Sequence, residues 1–183
     1  MRIRVASLVA LTLTLALQAP VVRGQATRPA ADGQTVPAQW QSIGFLLGDW
    51  TAEPDATGAK GAFSFHLDLS GRVVERRGFA EYPAASGRLR HEDLMILYPP
   101  PAPGGPINAI YFDSEGHTIH YSVTTSLQSV VFESDPSDPG PRFRLSYKQD
   151  GNRLDGTFEI RAPGKPDYQP YLAWKASRTS PSK

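Results

Sequence analysis

The chain has 183 residues, a formal charge of +1, 40% hydrophobic and 20% charged residues. That length suits one domain with a sizeable core, and near-balanced charge lacks the basic footprint of a nucleic-acid binder. The 16 glycines and 17 prolines favour turns over long helices, and the lack of cysteine excludes disulfides, thiol catalysis, iron–sulfur clusters and cysteine-held zinc.

The first 24 residues have the three parts of a secretory signal. Arg2 and Arg4 form a charged start, residues 5–17 are apolar apart from Ser7, Thr12 and Thr14, and Pro20, Arg23 and Gly24 follow. A run of roughly 13 residues is short of the ~20 that a spanning helix needs. The expected product is therefore exported, periplasmic or secreted, with no membrane span. Loss of Arg2, Arg4 and Arg23 shifts its formal charge to −2, from the +1 of the whole chain. Residues 25–37, rich in Ala, Thr, Pro, Gly and Gln, read as a flexible leader. The domain is expected over 38–178, with a disordered tail at 179–183.

Within 37–47, Trp40, Ile43, Phe45, Leu46 and Leu47 carry spacings that suit one short helix with an apolar side. The period then changes to two. In 62–70, Phe63, Phe65, Leu67 and Leu69 alternate with Ser64, His66, Asp68 and Ser70, the mark of a half-buried antiparallel strand. Similar runs occupy 47–53, 72–82, 90–98, 107–113, 117–125, 127–134, 142–148, 153–161 and 171–177. Turn residues such as Ser70-Gly71, Ser86-Gly87, Glu115-Gly116 and Asp150-Gly151 separate them. About ten short strands with short connections predict an all-β, up-and-down antiparallel barrel, which closes on itself and leaves no free edges. A β-sandwich is the competing architecture.

Letting the apolar side of each strand point inward places Phe63, Phe65, Leu67, Leu69, Val73, Phe79, Leu94, Ile96, Ile119, Val123, Phe143, Leu145, Phe158 and Ile160 in the interior. The same parity carries polar groups in with them: Glu75, Arg77, Glu92, His117, Tyr121 and Tyr147, with Tyr111 on a strand that is apolar on both faces. An apolar cavity with a few convergent polar groups is the pattern of a small-molecule site, and these seven are the candidate ligand-binding residues. The expected partner is a small apolar or amphipathic molecule. Nothing in the pattern sets an oligomeric state.

No nucleophile elbow, phosphate-cradling loop or His-Glu-x-x-His helix occurs. Glu92 with His117 is the one acid–base pair that parity offers to an enzyme reading. A third reading uses the Pro-rich loops 99–106 and 136–141 as contact surfaces for a protein of the cell envelope. His117 and His120 point to opposite faces of an extended segment. Asp113, Glu115 and His117 flank a turn, where acidic residues are ordinary, so no metal site is expected.

Phe45-Leu46-Leu47-Gly48-Asp49-Trp50 resembles the opening of the lipocalin-like, or calycin, barrels. Leu-Leu-Gly-x-Trp, with Val73-Val74-Glu75-Arg76 after Gly71-Arg72 and the strand Leu172-Ala173-Trp174-Lys175, is similar to the bacterial family of unknown function numbered 1579 and its nitrobindin-like relatives. The resemblance spans about 43–178. It implies that Trp50 closes one barrel end beneath a cation from the last strand, Arg178 or Lys175. It also implies a haem on a histidine near the C-terminus. No histidine follows His120, and Trp174 and Lys175 stand where that ligand would be sought, so no cofactor is expected.

Overall fold

The computed structural model describes residues 35–85, 87–100, 102 and 104–179. The expected signal segment, the leader up to residue 34 and the tail from residue 180 lie outside them. Ten antiparallel strands form one closed barrel: β1 Gly48–Ala52, β2 Lys60–Asp68, β3 Val73–Ala84, β4 Gly87–Tyr98, β5 Ile107–Asp113, β6 Thr118–Thr125, β7 Ser129–Ser134, β8 Arg142–Asp150, β9 Arg153–Arg161 and β10 Gln169–Arg178. Each strand pairs with its sequence neighbours, and β1 pairs with β10 to close the ring. Closure satisfies the edge groups that an open ten-strand sheet would expose. Among the described residues no helix is long and apolar enough to cross a membrane.

The element at the N-terminal end is a 3-10 helix, Ala38–Ile43. Six residues are too few to recover the cost of nucleating an α-helix, and the tighter form is usual in so short a piece. It plugs one end of the barrel with Trp40 and Ile43, and Phe45, Leu46 and Leu47 follow them into the core. Val36 is also fully buried, so the chain is already packed two residues before the expected domain start. The Trp40 Nε1–H and a Gln39 Nε2–H donate to the carbonyl of Gly71, at 2.8 and 3.0 Å, which ties the plug to the β2–β3 turn.

That turn corrects one expectation. β2 ends at Asp68, and Leu69 and Ser70 take positive φ (48° and 57°), which brings the chain round into Gly71 at 77°. Leu69, expected inside, is 64% exposed. Gly48 has φ 117° where the plug segment swings into β1, a conformation that L side chains rarely adopt and a reason for the glycine two residues before Trp50.

The plug occupies the end formed by the β2–β3, β4–β5, β6–β7 and β8–β9 connections. The opposite end is the mouth. There β3 and β4 run on together to the pair Ala84↔Gly87 and overhang the rim.

Candidate functional site

Cross-strand partners share a face of the sheet, so register decides which side chains enter the barrel. Phe63 and Phe65 are buried on β2, and their partners on β3 are Gly78 and Arg76. Gly78 and Arg76 in turn face Asp93 and Met95 on β4. The inward set is therefore Val74, Arg76, Gly78 and Ala80 on β3 and His91, Asp93, Met95 and Leu97 on β4. This reverses the expected parity of both strands. Glu75 and Arg77 lie on the outer surface, where Arg77 donates from Nε and Nη2 to the Glu75 carboxylate at 2.7 and 3.1 Å. Phe79 also lies outside, under the Arg90 guanidinium at 4.3 Å. Glu92 faces out and accepts from Arg90 Nε at 2.9 Å.

The reason is visible in the residues. Leu94-Met95-Ile96-Leu97 and Val73-Val74 are apolar on both faces, and Arg76-Arg77 is charged on both. Alternation alone cannot orient such runs. The register that β2 and β3 adopt across the Ser70-Gly71 turn does so, because it sets Arg76 opposite Phe65. Arg76, His91 and Asp93 are the site residues that parity reasoning left out.

Inside, the half nearer the plug is filled. Phe65, Phe132 and Tyr147 meet edge to face, with centroids 5.7 Å apart for Phe65–Tyr147 and 6.3 Å for Phe132–Tyr147. Tyr121 joins at Phe132. Each such contact adds about 0.5–1.5 kcal/mol beyond area burial. Arg76 crosses this aromatic floor. It is 7% exposed, forms an ion pair with Asp93, donates from Nε to the Tyr147 hydroxyl at 3.1 Å, and lies 5.4 Å from the Phe63 ring centroid. A Cβ at Gly78 would sit 2.7 Å from Asp93 Oδ2, so the glycine leaves room for this pair.

Above the floor the mouth has two unlike walls. On β4 and β5, His91 places Nε2 3.1 Å from the Tyr111 hydroxyl and Nδ1 2.7 Å from Glu115 Oε2. Asp93 and Asp113 are direct cross-strand partners. Asp113 accepts from the Glu115 and His117 amides at Oδ1 and meets the His117 ring at Oδ2, 2.8 Å away. Burial pushes the Asp113 carboxyl up, but the His117 amide and ring, with the charges of His117 and His91, outweigh it and leave the group below the ordinary range. Burial, reinforced by the nearby Asp113 charge, pushes the Tyr111 phenol well above its ordinary value. It therefore keeps its proton at neutral pH. Burial does the same to Tyr121 and Tyr147.

On β8, β9 and β10 the wall is apolar. Phe143 stacks on Phe158 at 5.8 Å, and Trp174 lies across Gly156 with its ring 5.8 Å from Tyr147. Phe143, Phe158, Ile160 and Trp174 all remain partly exposed. These are inward side chains that solvent still reaches from the mouth. Of the expected ligand-binding residues, the fold brings Tyr111, Tyr121 and Tyr147 together inside. His117 lies on the β5–β6 turn, exposed, so Glu92 and His117 do not share the interior.

Two hollows lie elsewhere. An open depression of about 780 Å³ on the outer face of β1–β5 gathers Arg77, Phe79, Arg90, Glu92, Leu94 and Phe112. A smaller one of about 290 Å³ lies at the plug end, between Gln39, Ser42, Pro99, Pro100 and Gly105.

No family model matches the chain, and no curated protein matches it either. Among solved structures it is similar to Rv2717c from M. tuberculosis, with 16% identity and a TM-score of 0.55 over 79% of this chain and 99% of that one. The shared feature is the fold alone. A haem of the nitrobindin-like kind does not fit the residues present. The last strand presents Trp174, whose ring covers Gly156, and no histidine follows His120 to serve as the axial ligand.

Proposed function

We propose that the chain is an exported barrel protein that takes a small apolar or amphipathic molecule in the cup at its mouth. The observation that carries this is the set Phe143, Phe158 and Trp174, apolar side chains that face inward yet remain partly exposed. Apolar surface held open inside a concavity, opposite oriented polar groups, is what an amphipathic ligand needs. The aromatic wall would supply affinity. The protonated phenol of Tyr111 and the His91–Asp93 edge would orient a polar headgroup. The N-terminal charged and apolar segment supports export, and Leu46-Leu47-Gly48-Asp49-Trp50 supports kinship with the family of unknown function numbered 1579.

The test is native against denaturing mass spectrometry of the purified protein, followed by titration with a fluorescent fatty-acid analogue. The expected result is a mass lost on denaturation, or saturable probe binding that Trp174→Ala weakens while the far-ultraviolet circular dichroism is unchanged. No adduct and no saturable probe binding would overturn the reading.

A further inference from the structure

We propose that His91, Asp113 and Glu115 form a site for one divalent first-row transition ion at the rim of the mouth. The inference stands whether or not the cup takes an apolar molecule.

Three observations support it. The first is placement. One ligand atom from each residue lies within 4.8 Å of the others. Asp113 and Glu115 are neighbours at a turn, an ordinary arrangement, but the β4–β5 ladder adds an imidazole from another strand. Asp93 faces Asp113, and the Glu92 amide donates to Ser114 Oγ at 3.1 Å, which carries the pairing on to His91 beside Glu115.

The second is charge. Asp93 and Asp113 are 8% and 6% exposed and sit directly opposite each other, where like charges repel. Arg76 compensates Asp93. Among the described residues, the ion pairs of Asp113 and Glu115 are with His117 and His91 alone. The rim thus sets three carboxylates against one guanidinium, and a dication would bring it to neutrality. Half-buried Glu53, Glu81 and Glu159 each have an arginine instead.

The third is the chemistry of the donors. One imidazole nitrogen with two carboxylate oxygens suits Zn²⁺, Mn²⁺, Fe²⁺ or Co²⁺ better than Mg²⁺ or Ca²⁺, which prefer oxygen throughout. When Nδ1 turns to the ion, its proton is carried by Nε2, which donates to the Tyr111 oxygen now 3.1 Å away. The second ring nitrogen keeps the orienting partner usual for a metal-bound histidine. The His117 ring holds Asp113 from the other side. Three protein ligands leave at least one coordination position open.

The test strips the purified protein with chelator and titrates it with Zn²⁺ by calorimetry and with Co²⁺ by visible absorption. One equivalent should bind. Glu115→Gln, a change at an exposed side chain, and His91→Ala should each weaken binding about tenfold or more. His66→Ala and His120→Ala, at exposed His–Asp pairs, serve as the rival surface sites and should bind as before. No saturable binding would overturn the proposal. So would binding that survives Glu115→Gln and His91→Ala, or that disappears in His66→Ala or His120→Ala.

Discussion

Arg178 lies over the indole of Trp50, its Cζ 4.3 Å from the ring, and also donates from Nη1 to the Leu47 carbonyl at 2.6 Å and from Nη2 to the Phe45 carbonyl at 3.0 Å. The two residues are cross-strand partners in the β1–β10 seam. Trp50 in turn donates from Nε1 to the Leu46 carbonyl at 2.7 Å. One cation therefore joins the closing seam of the barrel to the segment that carries the plug.

Replacing Arg178 by alanine removes a cation–π contact and two charged hydrogen bonds at once, so it should cost about 2–4 kcal/mol in urea unfolding. Arg178→Lys should recover only part, since an ammonium cannot stack and bridge both carbonyls. A lysine variant as stable as the wild type would show that charge alone suffices there.

The buried pair Arg76–Asp93 should respond quite differently from the outer pair Glu75–Arg77. Arg76→Ala strands a buried carboxylate and should cost about 3–5 kcal/mol. Arg76→Met combined with Asp93→Leu should recover most of that loss, which a double-mutant cycle will read as strong coupling. Arg77→Ala should leave the unfolding midpoint within experimental scatter. The opposite ranking would mean that the parity of β3 is wrong.

Acid should find Asp113. Its folded pKa lies below the ordinary carboxylate value, so its stabilising contribution is present above about pH 4 and is lost as the pH falls through the lowered folded value. Asp113→Asn should flatten the acid limb of a stability–pH profile while leaving the slope near neutrality alone. A profile with an unchanged acid limb would place the acid sensitivity elsewhere.

Gly156 is set by its neighbour rather than by its backbone angles. A Cβ there would collide with the Trp174 ring, so Gly156→Ala should destabilise by about 1–3 kcal/mol and shift tryptophan emission. In a Trp174→Ala background the same change should be almost silent. If both backgrounds lose equally, the indole does not rest on residue 156.

Much of the fold is legible in the chain. Alternation in β2, β6 and β8 marks Phe63, Phe65, Ile119, Val123, Leu145 and Tyr147 as inward, because only one face of each of those strands is apolar. Residue spacing also marks a short plug, and ten period-two runs with short turns already describe a meander. The site is another matter. Arg76, Asp93 and His91 sit on strands whose two faces look alike by composition.

What the amino-acid sequence determined by itself was the period: ten strands and a capping segment follow from local alternation and turn chemistry. What only the tertiary structure decided was the phase of β3 and β4 and the meeting of His91 with Asp113 and Glu115. A period of two defines two faces but does not say which is inside. That choice is made by the hydrogen-bonded register with β2 and by closure onto β10, interactions between residues far apart in the chain.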